Sequence, residues 1–425
     1  MTEQQADSGT SGSGRLARRL SLADAVGIGL GAMIGAGIFA VIGPAVGLAG
    51  TGALLGLVIA GGVAWCNATS SAQLAAVHPE SGGTYVYGRE RLGPFWGYLA
   101  GWGFVVGKLA SCAAMALTFA TYVAPEHARV LAVGAVLVLT GVNYFGIKKT
   151  ATLTHAIVLV VLLSLGVVLA AVFFGGQADP ARIQFDFTGG PYPILQAAGL
   201  WFFAFAGYAR LATLGEEVVD PARTIPRAIP WALAITLLLY LAVALAALLA
   251  LDPEVLGQAS APLVAAVEAG RLGALSPAVQ VGAAVASLGV LLSLIVGVSR
   301  TLFAMSARRD LPGFLDAVHP RYRVPHRAEL LVGAIVATLV AVADLRFAIG
   351  FSAFTVLVYY AITNAAALRL APHERRWPRW VPVAGLLACL VLAFSLPLDS
   401  VLVGSAVLLL GMAVYLLRRP LGGRR

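Results

Sequence analysis

Apolar runs of bilayer length, separated by short polar or basic connectors, follow one another along almost the whole of this chain. A helix of about 20 apolar residues crosses the hydrocarbon core of a bilayer, and there each backbone N–H and C=O must find its partner inside the protein. About twelve such runs can be drawn. They lie roughly over 25–50, 52–77, 95–123, 128–146, 152–175, 192–217, 228–250, 275–306, 329–343, 346–370, 381–396 and 399–417. The chain is 59% hydrophobic and 12% charged, against about a quarter charged in soluble domains. A soluble fold could not hide that much apolar surface. The expected class is an all-α integral membrane protein with twelve transmembrane helices.

The formal charge of +9 would suggest a nucleic-acid partner if it were clustered on a soluble domain. Its placement gives another answer. Most of the 29 Lys and Arg residues fall in alternate connectors, such as Arg15 to Arg19, Arg89 with Arg91, Arg308 to Arg327, Arg369 to Arg379, and the C-terminal arginines. The opposite side holds Arg129, Arg182, Arg271 and Arg346, and Lys108, Arg210 and Arg300 lie within spans. Basic residues stay cytoplasmic, so both termini are expected inside a multi-pass protein of the cytoplasmic membrane, with no nucleic-acid partner. Residues 1–20 are polar and Arg-rich without an apolar core, which reads as a disordered cytoplasmic tail and no signal peptide; residues 419–425 read as a second tail. Cys66, Cys112 and Cys389 are far apart, a spacing that suggests neither disulfides nor a metal.

Two of the runs are interrupted by residues that weaken a helix. The first carries GAMIGAGIF over 31–39, and the second carries FAFAGYARLATLGEE over 203–217. With the N-terminus inside, the first interrupted span runs outward; the sixth, five spans later, runs inward. That parity is the one expected of a five-plus-five inverted repeat, residues 21–175 against 190–370, with two additional helices over 380–418. Unwinding near Ile34, Gly35, Ala36 and Gly37 would aim backbone N–H groups and a positive dipole end at a carboxylate. The same glycines would also serve close helix packing. In the second break, Phe205, Ala206 and Gly207 could end a half-helix whose carbonyls receive an ammonium group, with Phe203 and Tyr208 as aromatic walls. An ordinary buried aromatic helix is the alternative. Together, donors on one side and acceptors on the other suit an α-amino acid zwitterion.

These segments, with PESGGTYVYGRERLG over 79–93 and EEVVDPARTIPRAI over 216–229, resemble the amino acid–polyamine–organocation permeases. The resemblance covers roughly residues 20–370. It implies a LeuT-like 5+5 inverted repeat with broken helices 1 and 6, and secondary transport by alternating access. It implies that Ile34, Gly35, Ala36 and Gly37 hold a substrate carboxylate, that Phe205, Ala206 and Gly207 hold the amine, and that Tyr208 lies beside the substrate. Many members of that family carry a Lys in the middle of the fifth helix. Here the corresponding position is about Val161, and no Lys occurs over 152–175.

Lys108 instead stands midway along the third run. A charge at that depth costs about 2.5–3.5 kcal/mol on insertion scales and faces the bundle interior. It is expected to replace the missing amine, as a substrate anchor or a proton carrier. Arg210 could select an anionic side chain or pair with Glu216 or Glu217, which are expected at an inner gate. Ser111, Ser287 and Ser293 are hydroxyls on lining helices; Ser287 and Ser293 are candidates for coupling or gating, although such hydroxyls commonly bond their own backbone. His155 and Arg300 lie near inner helix ends. The expected function is an amino acid permease, proton-coupled or an exchanger, with a proton ahead of sodium as coupling ion. A polyamine or other small-amine transporter is the alternative, although the spans offer a polyamine no acidic pocket. A channel on the same spans stands behind both. No cluster of catalytic groups and no GxxxxGK[ST] phosphate loop occurs, so an enzyme, an ATP-driven pump, a cofactor and a metal site are not expected.

Overall fold

The computed structural model describes residues 21–78, 82–146, 151–184, 190–212 and 218–418. Helices make up the regular structure of these residues. In chain order they are α1 (Leu22–Met33), α2 (Gly37–Ala49), α3 (Ala53–Val77), α4 (Thr84–Leu92), α5 (Pro94–Val123), α6 (Ala128–Tyr144), α7 (Ala151–Phe174), α8 (Tyr192–Phe205) and α9 (Ala209–Ala212). After them come α10 (Pro221–Ala250), α11 (Pro253–Gln258), α12 (Pro262–Glu268), α13 (Ser276–Ala307), α14 (His326–Val342), α15 (Leu345–Leu368), α16 (Trp380–Ser395) and α17 (Leu398–Arg418). Eight helical segments are long and apolar enough to cross a membrane, and α1 and α16 are shorter apolar helices. The expected tails, 1–20 and 419–425, lie outside the described residues.

Local chemistry sets the helix ends. Ser21 caps α1 reciprocally with Asp24: the Ser hydroxyl accepts from the Asp24 N–H, and the Asp24 carboxylate accepts from the Ser21 N–H, the pairing that satisfies two orphan donors at once. Gly93, at φ 109°, closes α4 with its N–H on the carbonyls of Gly88 and Arg89, and Pro94 opens α5 directly after it. A left-handed residue that ends one helix and a proline that begins the next suit the sharp corner between them. The sequence-based boundaries hold to within two residues for α5, α7, α13, α15 and α17. The seventh run differs. It is helical from Pro221, ahead of the apolar stretch, because Pro221 occupies the first helical turn where its missing N–H costs nothing.

Large apolar side chains also cover the outside of the bundle. Leu417 is 85% exposed, Phe174 83% and Val130 74%, and an exterior of this kind is matched by lipid rather than water. Inside, α15 lies against α5 and α16, and α13 runs along α5 and α7, so α5 and α15 sit at the centre.

Candidate functional site

The first long run is broken where its glycines suggested. α1 ends at Met33 and α2 begins at Gly37, leaving Ile34, Gly35 and Ala36 outside both helices. Ile34 leaves helical geometry at ψ 76°. No side chain caps α2, so its first-turn N–H groups keep the unsatisfied donor capacity of a helix start. The second run breaks less deeply. α8 ends at Phe205, Ala206 to Tyr208 tighten into a 3-10 turn, and α9 resumes at Ala209. The second interruption is thus a narrowing of the helix rather than an unwound stretch.

The two breaks cross each other backbone to backbone. A Cβ added at Gly37 would stand 2.7 Å from the Ala204 Cα, and one added at Gly207 would overlap the Ala32 carbonyl. Glycine is required at both positions because the chains approach too closely for any side chain. Tyr240 of α10 locks this crossing. Its buried hydroxyl donates to the Met33 carbonyl at 2.6 Å, and its ring packs 5.6 Å from that of Phe205. Tyr122 of α5 donates to the Phe39 carbonyl at 3.2 Å, in the first turn of α2.

Around the crossing the other helices supply a mixed lining. On α13, Val290 faces Gly35. Ser287, one turn earlier on the same face, is fully buried, and its hydroxyl has no hydrogen-bond partner among the described residues. Tyr208 is fully buried, 5.2 Å by ring centroids from Tyr360 of α15. The ring series continues through Tyr359, 5.0 Å from Tyr360, to Phe104 of α5, 5.4 Å from Tyr359. Lys108 stands one turn beyond Phe104 on the same face of α5, half-buried. Among the described residues it has no ion pair and no hydrogen bond. Val161 is buried in α7 one turn from Val158, which packs on Gly31.

Other expected residues are hydrogen-bonded within the bundle, exposed, or outside the described residues. Ser293 donates to the Gly289 carbonyl, and Ser111 donates to the Gly107 carbonyl while also meeting Ser352 at 2.7 Å. His155 is exposed. Arg210 belongs to α9, but its side chain, like Glu216 and Glu217, lies outside the described residues.

Sequence reasoning missed a second set of residues at the end of the bundle where α4 lies. Asp310 accepts two bonds from Arg89, at 2.8 and 3.1 Å, and one from the Tyr85 hydroxyl at 2.5 Å. Glu374 accepts a two-point contact from Arg91 at 2.7 and 3.1 Å, and the Ala371 N–H besides. Arg91 and that N–H hold the Glu374 carboxyl down at about 2. Burial and Asp310 push the Tyr85 phenol up, so it stays a donor. α4 is thereby tied to the α13–α14 and α15–α16 connectors. The basic half of each pair stands in GRERLG, but the acidic halves are more than 200 residues away.

A helical bundle with an apolar exterior, whose interior holds two discontinuous helices crossed at glycine, has the build of a membrane transport protein. The amino acid permease family model matches residues 20–409, and the chain belongs to that family, within the amino acid–polyamine–organocation permeases. It is 62% identical to an uncharacterized transporter of Mycobacterium tuberculosis over 95% of this chain and 92% of that one. It is 25% identical to the branched-chain amino acid permease of Bacillus subtilis over 96% of this chain and 94% of that one. It is 26% identical to the methylthioribose transporter of the same organism over 90% of this chain and 89% of that one. The family consists of transporters, not enzymes.

Proposed function

We propose that this permease moves an amino acid across the cytoplasmic membrane by alternating access, with the zwitterion bound at the crossing of the two broken helices. The scaffold is a LeuT-like one of twelve spans. Residues 21–175 and 190–370 form inverted halves, residues 380–418 add two helices, and both termini are cytoplasmic. One observation carries the reading: α1–α2 and α8–α9 are each interrupted, and the interruptions touch at Gly37–Ala204 and Gly207–Ala32. The open first-turn donors of α2, from Gly37 on, receive the carboxylate beside Ile34, Gly35 and Ala36, of which Ile34 and Gly35 already give their N–H groups to the Leu30 and Met33 carbonyls, and carbonyls at Phe205 to Gly207 receive the ammonium. Phe203 and Tyr208 wall the side chain, and Ser287 offers it a free hydroxyl.

Lys108 takes the place of the missing fifth-helix amine, as anchor or proton carrier, so that transport is proton-coupled or an exchange. Arg210, Glu216, Glu217 and Ser293 remain proposed gating or coupling residues. The Bacillus subtilis relative named for branched-chain amino acids supports an amino acid cargo. The relative named for methylthioribose favours a second reading, a small cargo without the amino acid backbone.

Uptake into liposomes separates the two readings. Labelled amino acids compete with one another if the zwitterion is the recognised unit. Methylthioribose or a polyamine taken up while every amino acid is ignored would replace the first reading with the second.

A further inference from the structure

The end of the bundle away from α4 holds a cavity of about 550 Å³, bounded by α2, the end of α5, the start of α15 and the turn between α16 and α17. Its charged lining is one guanidinium, Arg346, and two carboxylates, Asp344 and Asp399. Each carboxylate uses one oxygen locally. Asp344 accepts from the Phe347 N–H and Asp399 from the Ser400 N–H, both at 2.8 Å. The second oxygen of each is left over. Arg346 gives one N–H to the Gly257 carbonyl at 2.5 Å and keeps the rest of its fork. Ser400, 1% exposed, lines the same cavity, but its hydroxyl is buried against Gly350 of α15.

A second cavity of about 240 Å³ lies between α5, α14, α15 and α17. Val106, Ala110, Leu339, Phe351, Val403 and Val407 are among its lining, which is apolar throughout. Phe347 lines both cavities, so the polar and the apolar space adjoin at that ring. Val403 is 42% exposed on the outside of the bundle, so the groove opens where lipid lies. Along α5 it runs from Val106 to Ala113, about 10 Å of helix.

We propose that the two cavities, which adjoin at Phe347, hold one phospholipid whose headgroup carries a primary amine and whose acyl chain passes that ring. Its phosphate meets Arg346, its ammonium sits between Asp344 and Asp399, and an acyl chain fills the groove. Two carboxylates against one guanidinium select a zwitterionic headgroup over a purely anionic one. The apolar continuation selects a lipid over a free amino acid, whose charges match the polar part alone.

The test is native mass spectrometry of the full chain in detergent, offered equal amounts of phosphatidylethanolamine and phosphatidylglycerol with identical acyl chains. One phosphatidylethanolamine is retained in preference. Arg346→Ala and Asp399→Asn each lower its retention about tenfold, the loss of one charge-assisted contact. Val403→Trp, which fills the groove from an exposed position, lowers it as well. Equal retention of both lipids, or retention that ignores all three variants, identifies ordinary boundary lipid and overturns the proposal. Displacement by free amino acid, or equally tight binding of water-soluble glycerophosphoethanolamine, overturns it too, by reducing the site to its polar cavity.

Discussion

Gly207 has no room for a side chain, because a methyl group there would overlap the Ala32 carbonyl. Gly207→Ala must push the two broken helices apart, a form of overpacking that costs about 1–3 kcal/mol. It is expected to lower the melting temperature of the purified protein and to abolish uptake, whereas Gly62→Ala, at a glycine with open space, leaves both near wild type. Lys108 makes the opposite kind of demand: it is a half-buried basic side chain with no ion pair among the described residues. Lys108→Ala in liposomes is expected to lose uptake or its pH dependence. Unchanged transport at every pH would remove Lys108 from both proposed roles.

At the scale of elements, the first break was legible because Gly31, Gly35 and Gly37 crowd a span where leucine would be expected. The second was legible in place but not in shape, since a 3-10 turn and an unwound strand draw on the same small residues. The locks were not legible. Tyr240 reaches the Met33 carbonyl across 207 residues, and Tyr359 and Tyr360 meet Phe104 and Tyr208 only once α15 is docked. Such pairings follow from helix packing, which leaves no local periodicity to read. Their one sequence trace is the run of polar residues, Tyr359, Tyr360, Thr363 and Asn364, in an apolar helix. Tyr240→Phe keeps the ring and loses the bond to Met33. A stability loss of about 1 kcal/mol is expected, together with weaker transport, measured by thermal unfolding and uptake.

The α4 contacts make a pH prediction. Arg91 holds the Glu374 carboxyl below its ordinary value of 4.5, to about 2. The folded state therefore gains from this pair above pH 4.5 and loses that gain as pH falls through about 2. Thermal unfolding of Glu374→Gln should differ from wild type at neutral pH and converge with it in strong acid. A difference that persists at low pH would assign the effect to something other than the ion pair.

On the scale of the whole molecule, the apolar runs carried the all-helical membrane class and the positions of many of the helices, because lipid removes most of the alternatives. They carried the cargo less far, since the site proposed at the breaks would recognise a backbone chemistry and not a side chain. Counterflow tests the central claim most directly: proteoliposomes are preloaded with an unlabelled amino acid and diluted into a labelled one. Alternating access at the crossed breaks predicts transient, saturable accumulation of label that depends on the internal amino acid and disappears in Gly207→Ala. Label that never exceeds equilibrium for any amino acid, or flux that rises linearly with concentration and ignores the internal pool, would contradict it.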